Sequence, residues 1–295
     1  MPDWSVGPAA SDDFRRWSDG WEYLNTIDPL ADDHTFIQTG DIIENSWPVL
    51  GTNRLDFNNH TVRFTCPWED SHQGNPNRGF MTHMSGGNGR ITVYADNVLV
   101  EHHFQIDGLN IDQEFGNNVE LVSIGSWHVG AIEDIMRITA RDLLIKGFGT
   151  ANGTGFRVRG GNRTYANCFN MKIWDIEQGF SGFLTGAIAA AYQNRKFAEN
   201  ITVYNTGIRN FYFNNVLSNE WEVRNCVSAV VGGGFNEWVG MGNGRLRIRI
   251  HNCADADGSC NGVAVKNNIV TADEFKSLID TNDNFLDIID GTIED

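Results

Sequence analysis

The central part of the chain consists of short runs in which apolar and polar residues alternate. Each run is only a few residues long and is bounded by Gly, Asn or Asp. An alternation with a period of two over so few residues predicts short β-strands, and helices of ordinary length do not fit between most of the runs. The runs are Ile91–Tyr94, Val98–Val100, Ile135–Ile138, Leu143–Ile145, Phe156–Val158, Met171–Ile173, Ile201–Val203, Trp221–Val223 and Leu246–Ile250. The pattern favours an all-β chain and disfavours a doubly wound α/β fold.

A loose repeat connects these runs. An Asn or Asp follows an apolar strand at intervals of 33, 30, 20 and 27 residues. Periods of about 20 to 50 residues are typical of solenoids and propellers. The unequal intervals favour a β-helix, in which loops of different length interrupt turns of similar circumference. We expect these side chains to stack at one corner in a hydrogen-bonded ladder, although Asn and Asp also follow strands simply as turn residues. The series is Asp142, Asp175, Asn205, Asn225 and Asn252.

The first residues predict a helix that covers one end of the solenoid. Ser11 is a candidate N-cap, and Phe14, Trp17, Trp21 and Leu24 recur at spacings of three and four residues. This spacing places the four side chains on one apolar stripe. A helix in this position would cover the exposed core and the unpaired strand edge of the terminal turn.

The predicted fold class is therefore all-β: a right-handed, single-stranded parallel β-helix with an N-terminal amphipathic helix and a C-terminal cap. A solenoid keeps one continuous core as it grows along one axis, so 295 residues form one structural unit. We expect residues 1–40 to form the N-terminal helical cap, residues 41–265 the β-helix and residues 266–295 the C-terminal cap. The apolar anchors of the C-terminal cap are Phe275, Leu278, Phe285 and Leu286.

Charge and cysteine content disfavour several classes of protein. A formal net charge of −16 repels phosphate backbones and anionic lipid surfaces, so we expect neither nucleic acid nor membrane as a partner. No secretory signal and no stretch of about 18 apolar residues is visible in the sequence. The widely spaced cysteines predict buried thiols that pack as small hydrophobic groups rather than a disulfide framework. They are Cys66, Cys168, Cys226, Cys253 and Cys260.

Polar residues around Gly108 are candidates for acid–base chemistry. Asp107, Asn110 and Asp112 lie on one predicted turn, and Glu114 lies just beyond them. Carboxylates on the same face could act as acid and base in glycoside hydrolysis. The alternative is that these residues shape a turn around Gly108.

The remaining candidates are weaker, so we assign no catalytic, cofactor-binding or metal-binding residue and expect no cofactor. His102 and His103 fall on opposite faces of a strand, which places too few ligands together for a metal site. The segment 255–258 is similar to the start of a calcium loop but lacks the bidentate Glu. Glu69, Asp70 and His72 lie in a Gly/Pro/Asn-rich loop whose composition indicates exposure.

Two further groups of residues leave alternatives open. A cationic stripe on one outer face pairs with acidic residues of neighbouring turns or faces an anionic partner. Its residues are Arg245, Arg247 and Arg249. Tryptophans among the strands stack on sugar rings, fill the core or seal a subunit interface. They are Trp127, Trp174, Trp221 and Trp238.

Several segments resemble the pectate-lyase-like right-handed parallel β-helix superfamily. More narrowly, they are similar to β-helix proteins encoded by tailed bacteriophages and prophages, in which an N-terminal helix precedes the first strand. The segments similar to the opening turns are His60–Thr65, His72–Gly74, Arg90–Tyr94, Val98–Val100 and Ile106–Ile111. The ending Asp273–Leu286 resembles the closing segment of the same group.

The resemblance implies a virion component. It is specific for the fold but not for the function, because this architecture hosts lyases, hydrolases and inert structural proteins alike. We expect a non-enzymatic structural protein of a tailed-bacteriophage virion, a capsid decoration protein made in the bacterial cytoplasm. Its expected partners are the major capsid protein or another virion protein, further copies of itself in a homotrimer, and a surface glycan. The alternatives are a polysaccharide lyase or glycoside hydrolase and a carbohydrate-binding or adhesion module.

Overall fold

The strands of the computed structural model are parallel throughout and stack into a β-solenoid. The predicted all-β parallel β-helix is therefore confirmed. The structure describes residues 2–47, 54–86, 89–95, 100–114, 120–126, 135–151, 153–160, 163–184, 195–213, 220–232, 238–239, 247–251 and 253. In chain order the elements are β1 (Asp3–Val6), α1 (Trp17–Thr26), β2 (His34–Gln38), β3 (Ile42–Glu44), β4 (Arg54–Leu55), β5 (Thr61–Thr65), β6 (Met81–Met84), β7 (Ile91–Ala95), β8 (Glu101–Asp107), β9 (Asn110–Gln113), β10 (Glu120–Ser126), β11 (Ile135–Lys146), β12 (Thr154–Gly160), β13 (Arg163–Leu184), β14 (Arg195–Phe213), β15 (Glu220–Arg224), β16 (Val227–Val231), β17 (Trp238–Val239) and β18 (Arg247–His251).

Three series of paired strands form three faces of the solenoid. Face A contains β1, β2, β5, β8, the first part of β11, the first parts of β13 and β14, and then β15 and β18. Face B contains β3, β6, β9, the end of β11, the middle parts of β13 and β14, and β16. Face C contains β4, β7, β10, β12, the ends of β13 and β14, and β17.

The core consists of apolar side chains that stack from turn to turn. The ring of Phe64 lies 5.4 Å from that of Phe36 and 5.3 Å from that of Phe104. On face C, Phe156 and Phe180 stack at 5.7 Å. Burial of one such side chain contributes about 1.5–3 kcal/mol, and an aromatic pair adds about 0.5–1.5 kcal/mol. The alternation seen in the sequence thus places one side of each strand in a continuous aromatic and aliphatic core.

Two hydrogen-bonded ladders of Asn and Asp side chains run along two corners. Between faces A and B, the amide of Asn170 donates to Oδ1 of Asp142 at 3.0 Å, and the amide of Asn200 donates to Oδ1 of Asn170 at 3.1 Å. Between faces B and C, the amide of Asn205 donates to Oδ1 of Asp175 at 2.7 Å. All five residues have φ between 51° and 55°. Asn and Asp adopt this left-handed conformation more readily than other residues with a side chain, so the same residues shape the corner and link the turns.

The predicted ladder is confirmed, but its assignment to a single corner is wrong. The series joined Asp142 to Asp175, which lie at different corners. One turn here takes 28 or 30 residues, so an interval of 33 residues leads to the next corner. Asn225, with φ of 50°, follows Asn200 at the first corner. Asn252 lies outside the described residues.

Helix α1 begins at Trp17, so the predicted N-cap at Ser11 is wrong. The residues before the helix are held beside β1 instead. The carboxylate of Asp13 accepts hydrogen bonds from the backbone N–H of Ser5 at 2.8 Å and from its hydroxyl at 2.9 Å. Phe14 therefore lies outside the helix, partly buried against the core.

The predicted apolar stripe of α1 is confirmed from its first residue onward. Trp17, Trp21 and Leu24 are fully buried. The start of the helix is capped from the sheet, because the carboxylate of Glu44 accepts hydrogen bonds from the backbone N–H of Ser18 at 3.0 Å and from its hydroxyl at 2.8 Å. A carboxylate in this position also interacts favourably with the positive end of the helix.

The strands of the solenoid begin before the predicted boundary at residue 41. Strand β1 pairs with β2, and β2 pairs with β5, so the segment 1–40 contributes two strands to face A as well as the helix. The β-helix begins earlier than predicted because the residues of β1, which we assigned to the cap, pair with β2. The predicted C-terminal cap, 266–295, lies outside the described residues.

Candidate functional site

The candidate acid–base residues around Gly108 are divided between two faces. Strand β8 ends at Asp107, Gly108 turns the corner with φ of 73°, and β9 begins at Asn110. A Cβ on Gly108 would lie 2.7 Å from the carbonyl oxygen of Cys66. The corner thus separates Asp107 on face A from Asp112 on face B. The same-face acid–base pair is wrong for these two residues. The predicted turn is present at Gly108 itself, whereas Asp107, Asn110 and Asp112 lie within strands β8 and β9.

Asp107 is held by guanidinium groups from the turns on either side. Its Oδ2 lies 2.6 Å from Arg63 of β5 and 3.2 Å from Arg141 of β11. The register explains this contact, because Asp107 pairs with Thr65 below and with Arg141 above. The side chain of Asp107 is only 8% exposed. The arrangement links three successive turns through one carboxylate.

A second charged cluster lies on the same face, around Glu101. Arg137 binds its carboxylate with two hydrogen bonds, of 3.0 and 3.1 Å, and His103 contributes a third at 3.0 Å. The hydrogen bonds from Arg137 lower the pKa of Glu101 to about 2, although partial burial opposes them. The guanidinium of Arg137 also lies 4.9 Å from the centre of the Tyr165 ring on the next turn.

The two neighbouring histidines have different environments, as the alternation predicts. His103 lies on the outside of β8, whereas His102 is fully buried. The Nδ1 atom of His102 accepts a hydrogen bond from the backbone N–H of Phe57 at 3.2 Å. Since the two rings face opposite sides of the strand, they do not form a common metal site.

Face C carries a third cluster, around Glu120. Arg157 and Arg159 both contact its carboxylate, the latter at 2.5 Å. Burial alone would raise the pKa of Glu120, but the two guanidinium groups outweigh it, so the pKa is lowered. Arg159 also lies 5.6 Å from the centre of the Tyr94 ring. As on face A, a half-buried carboxylate links the strands of neighbouring turns.

Face B contains a cleft of about 270 Å³ at the edge of the loop 66–80. Within it, Asp112 Oδ1 lies 3.6 Å from Lys146 Nζ. Burial raises the pKa of Asp112, although the ammonium group of Lys146 opposes this. Trp174 follows Lys146 in register on the next turn and is 6% exposed. The cleft is lined by Pro76, Asn77, Met81, Asn110, Asp112, Lys146 and Trp174.

The loop 66–80 is anchored to face B by buried polar groups. Nε2 of His72 donates to the carbonyl oxygen of Asp142 at 2.6 Å, while its Nδ1 accepts from the backbone N–H of Gly74 at 2.8 Å. Burial lowers the pKa of His72 to about 4. The buried Lys172 donates to the carbonyl oxygen of Gly74 at 3.4 Å. The prediction of an exposed loop is therefore correct for Glu69 but wrong for His72, which is 1% exposed.

The other candidates divide between core residues and residues outside the described part. Trp221 is buried in the core, and Trp174 is nearly buried at the wall of the face B cleft, whereas Trp127 and the segment 255–258 lie outside the described residues. The part of the chain that the structure describes contains no group of three His, Cys, Asp or Glu side chains able to hold a metal ion. Its described helix is not long and apolar enough to cross a membrane. The buried cysteines without a disulfide are Cys66, Cys168, Cys226 and Cys253.

The backbone of the predicted cationic stripe is described only from β18 onward. Its register places Arg247 beside Glu220 and Arg249 beside Glu222. Acidic residues thus occupy the neighbouring positions on β15, which is the arrangement that pairing within the chain needs. Arg245 and Trp238 add nothing here, since the first lies outside the described residues and the side chain of the second is not described.

The sequence analysis missed most of the residues that make these clusters. Arg63, Arg141 and Lys146 were not candidates, because no local motif contains them. Their signal is long-range: 44 residues separate Arg63 from Asp107, and 34 separate Asp107 from Arg141. Opposite charges at matching positions of successive strands would have pointed to them.

No family model, no curated protein and no solved structure matches this chain.

Proposed function

We propose that the protein is a non-enzymatic structural solenoid. The observation that carries this proposal is the neutralisation of carboxylates on two outer faces by cations from other turns. On face A, Asp107 lies between Arg63 and Arg141, and on face C, Glu120 contacts two arginines of β12. A catalytic carboxyl group must exchange protons or charge with its substrate. Carboxylates that two guanidinium groups already hold are suited to fastening turns together.

These ion pairs stabilise the interfaces between neighbouring turns of the solenoid. The stability of a stacked array is approximately the sum of the stabilities of its turns and of the interfaces between them. Exposed ion pairs contribute only about 0.2–1 kcal/mol each. The pair of Arg159 with the mostly buried Glu120 is stronger and has a defined geometry, because the guanidinium binds both carboxylate oxygens. Together with the Asn ladders, they resist the separation of neighbouring turns. A rigid rod of this kind suits a mechanical role.

The specific form of the proposal is a decoration protein on the capsid of a tailed bacteriophage. It is supported by the resemblance of the segments 60–65, 106–111 and 273–286 to phage β-helix proteins. In this role the partner is the major capsid protein or another virion protein, and the chain assembles as a homotrimer.

Polysaccharide cleavage is the second candidate function. The observation that favours it is the position of Asp112 in a cleft that raises its pKa. A raised pKa is what a carboxyl group needs to act as a general acid near neutral pH. Glu114, two residues further on, is a second carboxylate that contributes to raising the pKa of Asp112.

The structural role is tested by adding the purified protein to particles of its virus that lack it. The expected result is co-sedimentation that saturates at a fixed number of copies per particle, with regular extra density in negative-stain images. An unrelated protein of similar net charge is the control for nonspecific adsorption. Light scattering of the free protein should give three times the chain mass of 32.9 kDa. Absence of saturable binding would contradict the decoration role, and a monomeric mass would contradict the trimer.

A further inference from the structure

Exposed apolar side chains are concentrated on and beside face B. In the part of the chain that the structure describes, the most exposed large hydrophobic residues are Trp68 at 65%, Ile43 at 58% and Phe148 at 53%. Ile43 is on strand β3, Trp68 is on the loop 66–80 that is anchored to this face, and Phe148 follows the end of β11. Single exposed apolar residues are ordinary, but a group of them around one face is typical of a contact surface.

The strand register shows that one partner can reach across this surface. Ile43 pairs with His83, His83 with Asp112, and Asp112 with Lys146, which lies two residues before Phe148. At about 4.8 Å per strand, Ile43 and Lys146 are about 14 Å apart. A stable protein interface covers roughly 800 Å² on each partner, which is wide enough to span this distance.

Trp68 is held in place by its own loop. Its carbonyl oxygen accepts hydrogen bonds from the backbone N–H and the hydroxyl of Ser71, at 3.3 and 2.9 Å, and from the amide of Gln73 at 2.9 Å. The backbone N–H of Phe80 donates to the carbonyl oxygen of Asp70 at 2.9 Å and so closes the loop. A loop that is already ordered loses little conformational freedom on binding, and Trp is enriched among the residues that contribute most to interfaces.

The charges around these apolar residues are mostly negative. We consider the described segments 41–45, 66–86, 110–114 and 143–151. Their exposed or half-buried carboxylates are Asp41, Glu69, Asp70, Asp112 and Glu114, whereas their exposed cations are Arg78 and Lys146. A second copy of the chain would bring the same acidic groups and a net charge of −16, so like charges disfavour self-association through this face. Anionic lipids and nucleic acid are disfavoured for the same reason.

We propose that face B, with Trp68 as its main contact, docks onto a partner protein that presents an apolar pocket bordered by lysine or arginine side chains. The pocket takes the indole of Trp68, and its basic border is attracted by carboxylates such as Glu69 and Asp70. This inference rests on the proposed structural role, because it names the face through which the solenoid binds another virion protein. Faces A and C, whose carboxylates are already held by arginines, remain outside the contact.

The test is the co-sedimentation with particles that lack the protein, repeated with four variants. Trp68→Ala removes the main contact, and its matched control is Ile27→Ala, because Ile27 is 36% exposed but directly follows α1. Glu69→Gln and Asp32→Asn each remove one exposed carboxylate, and Asp32 precedes strand β2 of face A. Circular dichroism would confirm that each variant keeps the fold, and light scattering would compare its mass with that of the native chain.

We expect Trp68→Ala to weaken binding at least about tenfold and Ile27→Ala to leave it unchanged. Glu69→Gln should weaken binding by about two- to fivefold at low salt, Asp32→Asn should have no effect, and added salt should weaken the binding of the native chain.

Four results would overturn the inference. Equal binding by Trp68→Ala and Ile27→Ala would do so and would leave the decoration role intact. Stronger binding by Glu69→Gln would exclude a basic partner surface. A smaller mass for Trp68→Ala than for the native chain would show that face B contacts a second copy instead. Absence of binding by the native chain would overturn the decoration role and this inference with it.

Discussion

Glu44 makes the stability of the N-terminal cap depend on pH. Its carboxylate lies inside the first turns, where it accepts hydrogen bonds from Ser18 and, at 3.4 Å, from the backbone N–H of Ser46. Burial raises the pKa of Glu44 to about 7, although these hydrogen bonds oppose the rise. A carboxyl group whose pKa is raised by folding stabilises the fold when it is protonated. The stability that it contributes is present at low pH and is lost as pH rises from the unfolded pKa through the folded one.

The magnitude follows from the two pKa values. The difference between the ordinary value of 4.5 and about 7, at about 1.4 kcal/mol per pKa unit, corresponds to about 3 kcal/mol. Raising the pH from about 5 to about 8 removes slightly more than 2 kcal/mol of this stability. The rest is already lost at about pH 5, where the unfolded carboxyl group is mostly ionised. The variant Glu44→Gln cannot ionise, so it should lose this dependence. The amide of Gln has one acceptor oxygen where the carboxylate has two, so a hydrogen bond from the backbone N–H of Ser18 or Ser46 is lost. This loss costs about 1 kcal/mol and adds no pH dependence of its own.

The assay is urea unfolding at about pH 5 and pH 8, followed by tryptophan fluorescence, to which the buried Trp17 and Trp21 contribute. The matched control is Glu22→Gln, since Glu22 lies on the same helix and is exposed. We expect the native chain and the control to lose about 2 kcal/mol more than Glu44→Gln on going to the higher pH. Equal losses in all three proteins would refute the assignment of this pH dependence to Glu44.

Three more substitutions test the links between turns. Asn170→Ala removes two ladder hydrogen bonds and places Ala in a left-handed conformation, so the free energy of unfolding should fall by about 2–3 kcal/mol. Asn170→Gly should lower it less, because Gly adopts this conformation without strain, and equal losses for the two variants would contradict the contribution of the backbone conformation. Asp107→Asn leaves two guanidinium groups without their carboxylate and should lower the unfolding free energy by about 1–3 kcal/mol in urea, whereas an unchanged midpoint would contradict the link. Gly108→Ala directs a Cβ at the carbonyl oxygen of Cys66 and should lower the thermal midpoint by an amount equivalent to at least about 1 kcal/mol; an unchanged midpoint would show that the corner accepts a side chain.

The fold was predictable because its signal is local. Runs such as Phe156–Val158 and Met171–Ile173 carry the period-two alternation, and the Asn and Asp residues that follow them indicate corners. Both signals need only a few neighbouring residues. The helix start at Trp17 was not predictable in the same way, because the cap comes from Glu44, which lies in a different strand.

The candidate sites were less predictable because they depend on which turns are neighbours. Turn length varies with the loops, so sequence spacing does not give the register. Asp142 and Asp175 therefore appeared to share a corner, and Asp107 and Asp112 appeared to share a face. The partner of Asp112 is Lys146, 34 positions further along the chain, and only the pairing of β9 with β11 brings them together.

The claim that the described outer faces are structural and not catalytic is tested most directly by a polysaccharide-cleavage assay. The purified full chain would be incubated with a panel of neutral and acidic polysaccharides, and chain length would be followed by size-exclusion chromatography together with the release of new reducing ends. We expect chain lengths to stay unchanged with every polymer. Shortening that Asp112→Asn abolishes and Asp32→Asn retains would contradict the account and would place catalysis in the cleft of face B.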